Sequence, residues 1–118
     1  MARTLTLNVS ASVTLNGSGN GTVQLGPKSA GEVWFPSVVS VGTNETVITD
    51  EANCSVYVGP YAGQGYFVDL TIFGSTGASS SNIKGQVVYP GNFIWAVWTG
   101  GDNGAQATLN VSGTKQVP

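Results

Sequence analysis

Residues 3–15 read RTLTLNVSASVTL, and the alternation in this run decides the fold class. Leu5, Leu7, Val9, Ala11, Val13 and Leu15 share one parity, and Thr4, Thr6, Asn8, Ser10, Ser12 and Thr14 share the other. A period of two is that of a strand with one face in a core and the other in water. The next run, NGSGNG at 16–21, is a turn, because Gly and Asn enter positive φ at little cost. Helical spacing is missing throughout, and glycines interrupt every candidate window.

Working outward, strands are expected at TVQL (22–25), VWFPSVVSVGT (33–43), Thr46–Thr49, Cys54–Val58, Tyr66–Phe73, Ile83–Tyr89, Asn92–Thr99 and Ala105–Val111. Pro36 cannot donate to a ladder, so it belongs at an edge or a bulge. GPKSAGE and the low-complexity GSTGASSSN read as loops, and YPGN as a tight turn. The expected fold is all-β: a single antiparallel β-sandwich, jelly-roll-like, of about eight strands with essentially no helix. One domain spans 1–118, with 1–20 as its N-terminal strand or arm.

Charged residues make up 8% of the chain, against roughly 25% in typical domains. The surface is therefore neutral and hydroxyl-rich. Four scattered cations, Arg3, Lys28, Lys84 and Lys115, and a net charge of −2 argue against a nucleic-acid partner. No apolar run reaches the ~20 residues of a membrane helix, and the first residues do not read as a secretory signal. Six N-x-[ST] sequences, at Asn8, Asn16, Asn20, Asn44, Asn53 and Asn110, arise in part because i and i+2 share a polar strand face. They are not read as glycosylated. Cys54, the single cysteine, reads as a small buried apolar residue.

Chemistry has little to work with. The absence of histidine removes Ser-His-Asp and Cys-His systems. The acids Glu32, Glu45, Asp50, Glu51, Asp69 and Asp102 sit mainly at turns without a motif, so no enzyme and no catalytic residue is expected. TDEANC and GGDNG offer oxygen ligands but lack the ligand count of a calcium loop, so no metal or cofactor is expected. The glycine-rich turns precede no helix, which removes a phosphate-loop reading.

The run WAVWTGGDNGAQATLNVSG at 95–113 reads as the last β-hairpin, with Gly100–Gly104 as its turn. Parity puts Phe93, Trp95 and Val97 on one side and Ile94, Ala96 and Trp98 on the other, so Trp95 and Trp98 cannot form one sugar platform. One aromatic set then needs cover, from the same chain or from another. Trp34 and Phe35 raise the same question. Trp34, Phe35, Trp95 and Trp98 are the candidate interface residues.

Residues 26–114 also resemble small β-sandwich structural proteins of tailed phages that infect actinobacteria. The matching residues are Val33 and Trp34, Cys54 and Tyr57, Pro90 and Gly91, and Trp98, Gly100, Asp102, Gly104 and Ala105, with Asn103 where Pro is more usual. The resemblance implies a non-enzymatic virion protein on the capsid surface: a decoration protein binding the major capsid protein as a homotrimer or other homo-oligomer. The alternative is a carbohydrate- or receptor-binding module of a minor tail or tail-fibre protein, to which Tyr57, Tyr61, Tyr66 and Tyr89 would add rings.

Overall fold

Alternation in the sequence becomes two stacked sheets. The computed structural model describes residues 3–44, 52–73, 76–83 and 85–118, with 67–73, 76–79 and 81 described through their backbone. The strands are β1 (Arg3–Thr14), β2 (Gly21–Leu25), β3 (Val33–Asn44), β4 (Asn53–Gly59), β5 (Phe67–Phe73), β6 (Thr76–Asn82), β7 (Phe93–Thr99) and β8 (Gln106–Val117). A 3-10 turn at Gln64–Tyr66 precedes β5. One sheet has the order β1-β8-β3-β6 and the other β2-β7-β4-β5, and every pairing is antiparallel. Most consecutive strands lie in different sheets, which is the jelly-roll arrangement of a β-sandwich.

The alternate side chains meet between the sheets. Val39, Val41, Ala107, Leu109 and Val111 come from the first sheet and Cys54, Val56, Ile94, Ala96 and Trp98 from the second, all fully buried in one cluster. Pro36 sits at a bulge, as expected, but in the central strand β3, where the register with β8 shifts between Pro36 and Val38. Gly113 lies opposite at φ 155°, so close that a Cβ would strike the Phe35 carbonyl oxygen and the Pro36 and Ser37 backbone. A bulge facing a side-chain-free residue lets a proline enter a central strand.

Three sequence expectations are corrected. The 95–113 run is not a hairpin: β7 pairs with β2 and β4, whereas β8 pairs with β1 and β3. Its turn carries the chain from one sheet to the other. There it meets the 16–21 turn backbone to backbone, with Gly101 N donating to Gly19 O at 3.0 Å and Leu15 N to Ala105 O at 2.8 Å. Gly19, at φ 74°, must be glycine because a Cβ would strike Gly101.

Within GSTGASSSN, Thr76–Asn82 forms β6 rather than a loop. It pairs with β3 from Val38 to Asn44, and a ladder is made by backbone groups that small side chains supply as well as large ones. The described residues of the strand expected at Ile83–Tyr89 form no strand. A turn with Gln86 N donating to Ile83 O precedes an isolated bridge between Trp34 and Val88. The strand expected at Thr46–Thr49 lies outside the described residues.

Cys54 is fully buried. Desolvation pushes its thiol from 9.0 up to about 12, against a smaller opposing effect from a hydrogen bond with the Val97 backbone. The folded thiol therefore holds its proton well above the pH at which the unfolded one loses it. Its contribution to stability is whole below the unfolded value and is lost as pH rises toward 12. Native protein at pH 8 should label with a thiol reagent only at the rate of unfolding, and Cys54→Ala should flatten the alkaline fall in stability; fast stoichiometric labelling would contradict the burial. Gly113→Ala should cost about 1–3 kcal/mol, read from the urea midpoint, through strain at the bulge.

Candidate functional site

The outward parity of the β2-β7-β4-β5 sheet gathers the exposed aromatics. Register places Gln24 beside Trp95 and Trp95 beside Tyr57, and one pair further along it places Phe93 beside Gly59. Phe93, Trp95 and Tyr57 are all half-buried. The Phe93 and Trp95 rings meet edge to face, with centroids 5.7 Å apart. The Trp95 indole reaches across to the neighbouring strand, where its Nε1 donates to Gly59 O at 3.0 Å. That bond holds the ring down and leaves only its π surface for a partner.

Glycines give the rings their seats. A Cβ on Gly59 would meet the Tyr66 ring at 2.5 Å, and one on Gly26 would meet the Phe93 ring at 2.7 Å. Tyr66 in turn packs edge to face with Tyr61, centroids 5.0 Å apart, and Tyr61 is 60% exposed. The other outward residues on β2, β7 and β4 are Thr22, Val97, Thr99, Asn53 and Ser55. Five rings thus share a face on which the described side chains carry no charge.

The opposite surface has different chemistry. Outward positions of β1 and β8 pair Thr6 with Thr114, Asn8 with Ser112, Ser10 with Asn110 and Ser12 with Thr108. On β3, Ser40 continues this array and its Oγ lies 2.8 Å from Ser80 Oγ. The result is a flat field of hydroxyls and amides, broken by Val38 and by Phe35 at its end. Phe35 shares a cavity of about 270 Å³ with Gln86, Val87 and Thr114.

The four candidate interface residues therefore do not form one surface. Trp98 is fully buried and Trp34 is 4% exposed, so both are core and not contact residues. Inward parity puts them there. Trp98 Nε1 finds no acceptor among the described residues. Trp34 Nε1 donates to Glu32 Oε1 at 2.7 Å, and Lys115 Nζ lies 3.7 Å from that same oxygen. Phe35 and Trp95 reach the surface, but on opposite sheets.

Parity along one strand already groups Phe93 with Trp95, but it cannot bring Tyr57 beside them. Tyr57 and Trp95 are far apart in the chain and adjacent across it, and only the register of β4 against β7 reveals the pair. The alternation of CSVYV, in phase with that of FIWAV, was the available signal.

Of the weak metal candidates, Asp50 and Glu51 lie outside the described residues. Asp102 and Asn103 line a shallow pocket of about 210 Å³ with Asn44 and Gly104. Among the described residues no group of three His, Cys, Asp or Glu side chains is placed to hold a metal. No helix of the described residues is long and apolar enough to cross a membrane.

No family model and no curated protein matches the chain. Among solved structures it is similar to a chain from the acidic stable capsid structure of Helicobacter pylori bacteriophage KHP30. The TM-score is 0.56 and the identity 18%, over 100% of this chain and 94% of that one. A second similarity, to a structure described as CBM4 structure and function, has a TM-score of 0.46 at 12% identity over 91% of this chain and 82% of that one. The first similarity shows a β-sandwich fold shared with a phage capsid chain; it does not narrow that likeness to phages of actinobacteria.

The core and surface assignments separate in stability. Trp98→Ala should cost about 3–5 kcal/mol in urea denaturation, whereas Trp98→Phe, which forfeits no hydrogen bond to the described residues, should cost far less. Trp95→Ala should cost about 1–2 kcal/mol and keep the fold. Equal losses at the two tryptophans would contradict the assignment.

Proposed function

We propose that the chain is a non-enzymatic structural protein of a phage virion, and most concretely a decoration protein that binds the major capsid lattice. The observation that carries this reading is the uncharged aromatic face around Trp95, Phe93 and Tyr57, held rigid by a four-stranded sheet. Interface cores favour Trp, Tyr and Phe and exclude charge. Rings fixed by Gly59 and Gly26 lose little freedom on docking. The fold shared with a phage capsid chain over the whole length supports the same direction. Repetition over a lattice suits such a face, because many modest contacts add up when a ligand binds only the assembled shell.

A second reading draws on the same residues. Tyr57 on β4 lies beside Trp95 on β7, which also carries Phe93 on the same face, so these rings supply the aromatic surface that Trp95 and Trp98 cannot. A carbohydrate- or receptor-binding module of a minor tail or tail-fibre protein would use them as stacking surfaces.

Purified protein is incubated with empty capsids and, separately, with host cell-wall polysaccharide. Retention on capsids, weakened about tenfold or more by Trp95→Ala, is the expected result. Retention on the polysaccharide alone would overturn the decoration reading in favour of the second. Capsid binding indifferent to Trp95→Ala and Tyr57→Ala would show that another surface docks.

A further inference from the structure

The four sheet edges are not equally protected. β2 is a five-residue edge closed by Gly26 and Pro27. β5 is irregular, with register shifts against β4 at two places. β6 is seven residues of Thr, Gly, Ala, Ser and Asn. β1 is different: twelve residues paired with β8 in unbroken register from Arg3 to Thr14, with no proline, no bulge and no charge beyond Arg3. Among the described residues, no backbone hydrogen bond outside the β1-β8 ladder reaches 3–14. Edge strands with these properties are templates for pairing, and folds that remain single chains blunt them with charge, proline or bulges.

The inner parity of β1 is also incompletely covered. Leu5 is 41% exposed, and Val9, Ala11 and Val13 are half-buried, although their neighbours on β8, Val111, Leu109 and Ala107, are fully buried. A groove of about 380 Å³ opens beside Val9, between Leu25, Lys28, Glu32 and Trp34.

We infer that β1 pairs antiparallel with β1 of a second copy of this chain, joining the two β1-β8-β3-β6 sheets into one eight-stranded sheet across a two-fold axis. The sequence of β1 is self-complementary for this contact. Antiparallel partners share a face, so both sandwiches stay on one side only if odd residues meet odd ones. Centring the axis on Val9 satisfies this. Leu5 then opposes Val13, Leu7 opposes Ala11, and Val9 meets its own copy. On the outer face Thr4 opposes Thr14, Thr6 opposes Ser12 and Asn8 opposes Ser10. Apolar residues meet apolar ones and hydroxyls or amides meet their like, while Arg3 falls beyond the paired segment. Moving the axis to Asn8 would set Arg3 against Val13, which is why Val9 is the better centre. The pairing stands independently of the capsid reading, since it uses the β1 edge and leaves the Trp95 face open.

Light scattering on the intact chain at tens of micromolar should give twice the chain mass. Thr6→Lys with Ser12→Lys places like charges directly opposite each other in the dimer and on exposed positions of the monomer. This variant should keep its thermal melt and weaken the dimer about tenfold or more. Val9→Cys in a Cys54→Ala background should form a disulfide-linked dimer on mild oxidation, because directly opposed strand residues lie within disulfide reach. A chain that stays monomeric at these concentrations overturns the inference. So does an oligomer, trimeric or otherwise, that keeps its mass with both lysines present and forms no Val9→Cys cross-link.

Discussion

Every feature of this molecule depends on burying one alternate set of side chains between two four-stranded sheets. The chain changes sheet at most of its turns, so each strand contributes one parity to a shared interior and presents the other outside. With so few charged residues and no disulfide available to a lone cysteine, this interior is the main source of stability. It explains why Trp98 and Ile94 are buried while Trp95 and Phe93, of the opposite parity on the same strand, are not. It also explains the Pro36 bulge: a break in register inside β3 is tolerable only because Gly113 lets the two backbones close over it.

Much of this was legible in the sequence, because period-two alternation is a local property. The strands β1, β2, β3, β4, β7 and β8, the 16–21 turn, the burial of Cys54 and the opposite faces of Trp95 and Trp98 all follow from residues read in order. What was not legible depends on pairing. TGGDNG has the composition of a hairpin turn, and a change of sheet uses the same glycines, so composition alone cannot tell that β7 and β8 belong to different sheets. β6 escaped because Gly, Ala and Ser carry no apolar signal, although their backbone groups complete the ladder on β3. Likewise parity separates Trp95 from Trp98, whereas the adjacency of Tyr57 and Trp95 exists only in the register of β4 against β7.

Two outer faces of contrasting chemistry result. One is a field of Thr, Ser, Asn and Gln that stays comfortable in water; the other is an uncharged aromatic surface whose rings are seated on glycines and anchored by the Trp95 to Gly59 bond. On the proposed reading, such uncovered rings are the surface that meets a partner, and their lack of charge suits dense packing on a repetitive lattice over long-range steering.

The most direct measurement is a cryo-electron microscopy map of capsids decorated with this protein. The sheet carrying Phe93, Trp95 and Tyr57 is predicted to face the shell, with the Thr and Ser field of β1 and β8 toward solvent. A map with the hydroxyl face against the capsid and the aromatic face open to water would contradict it.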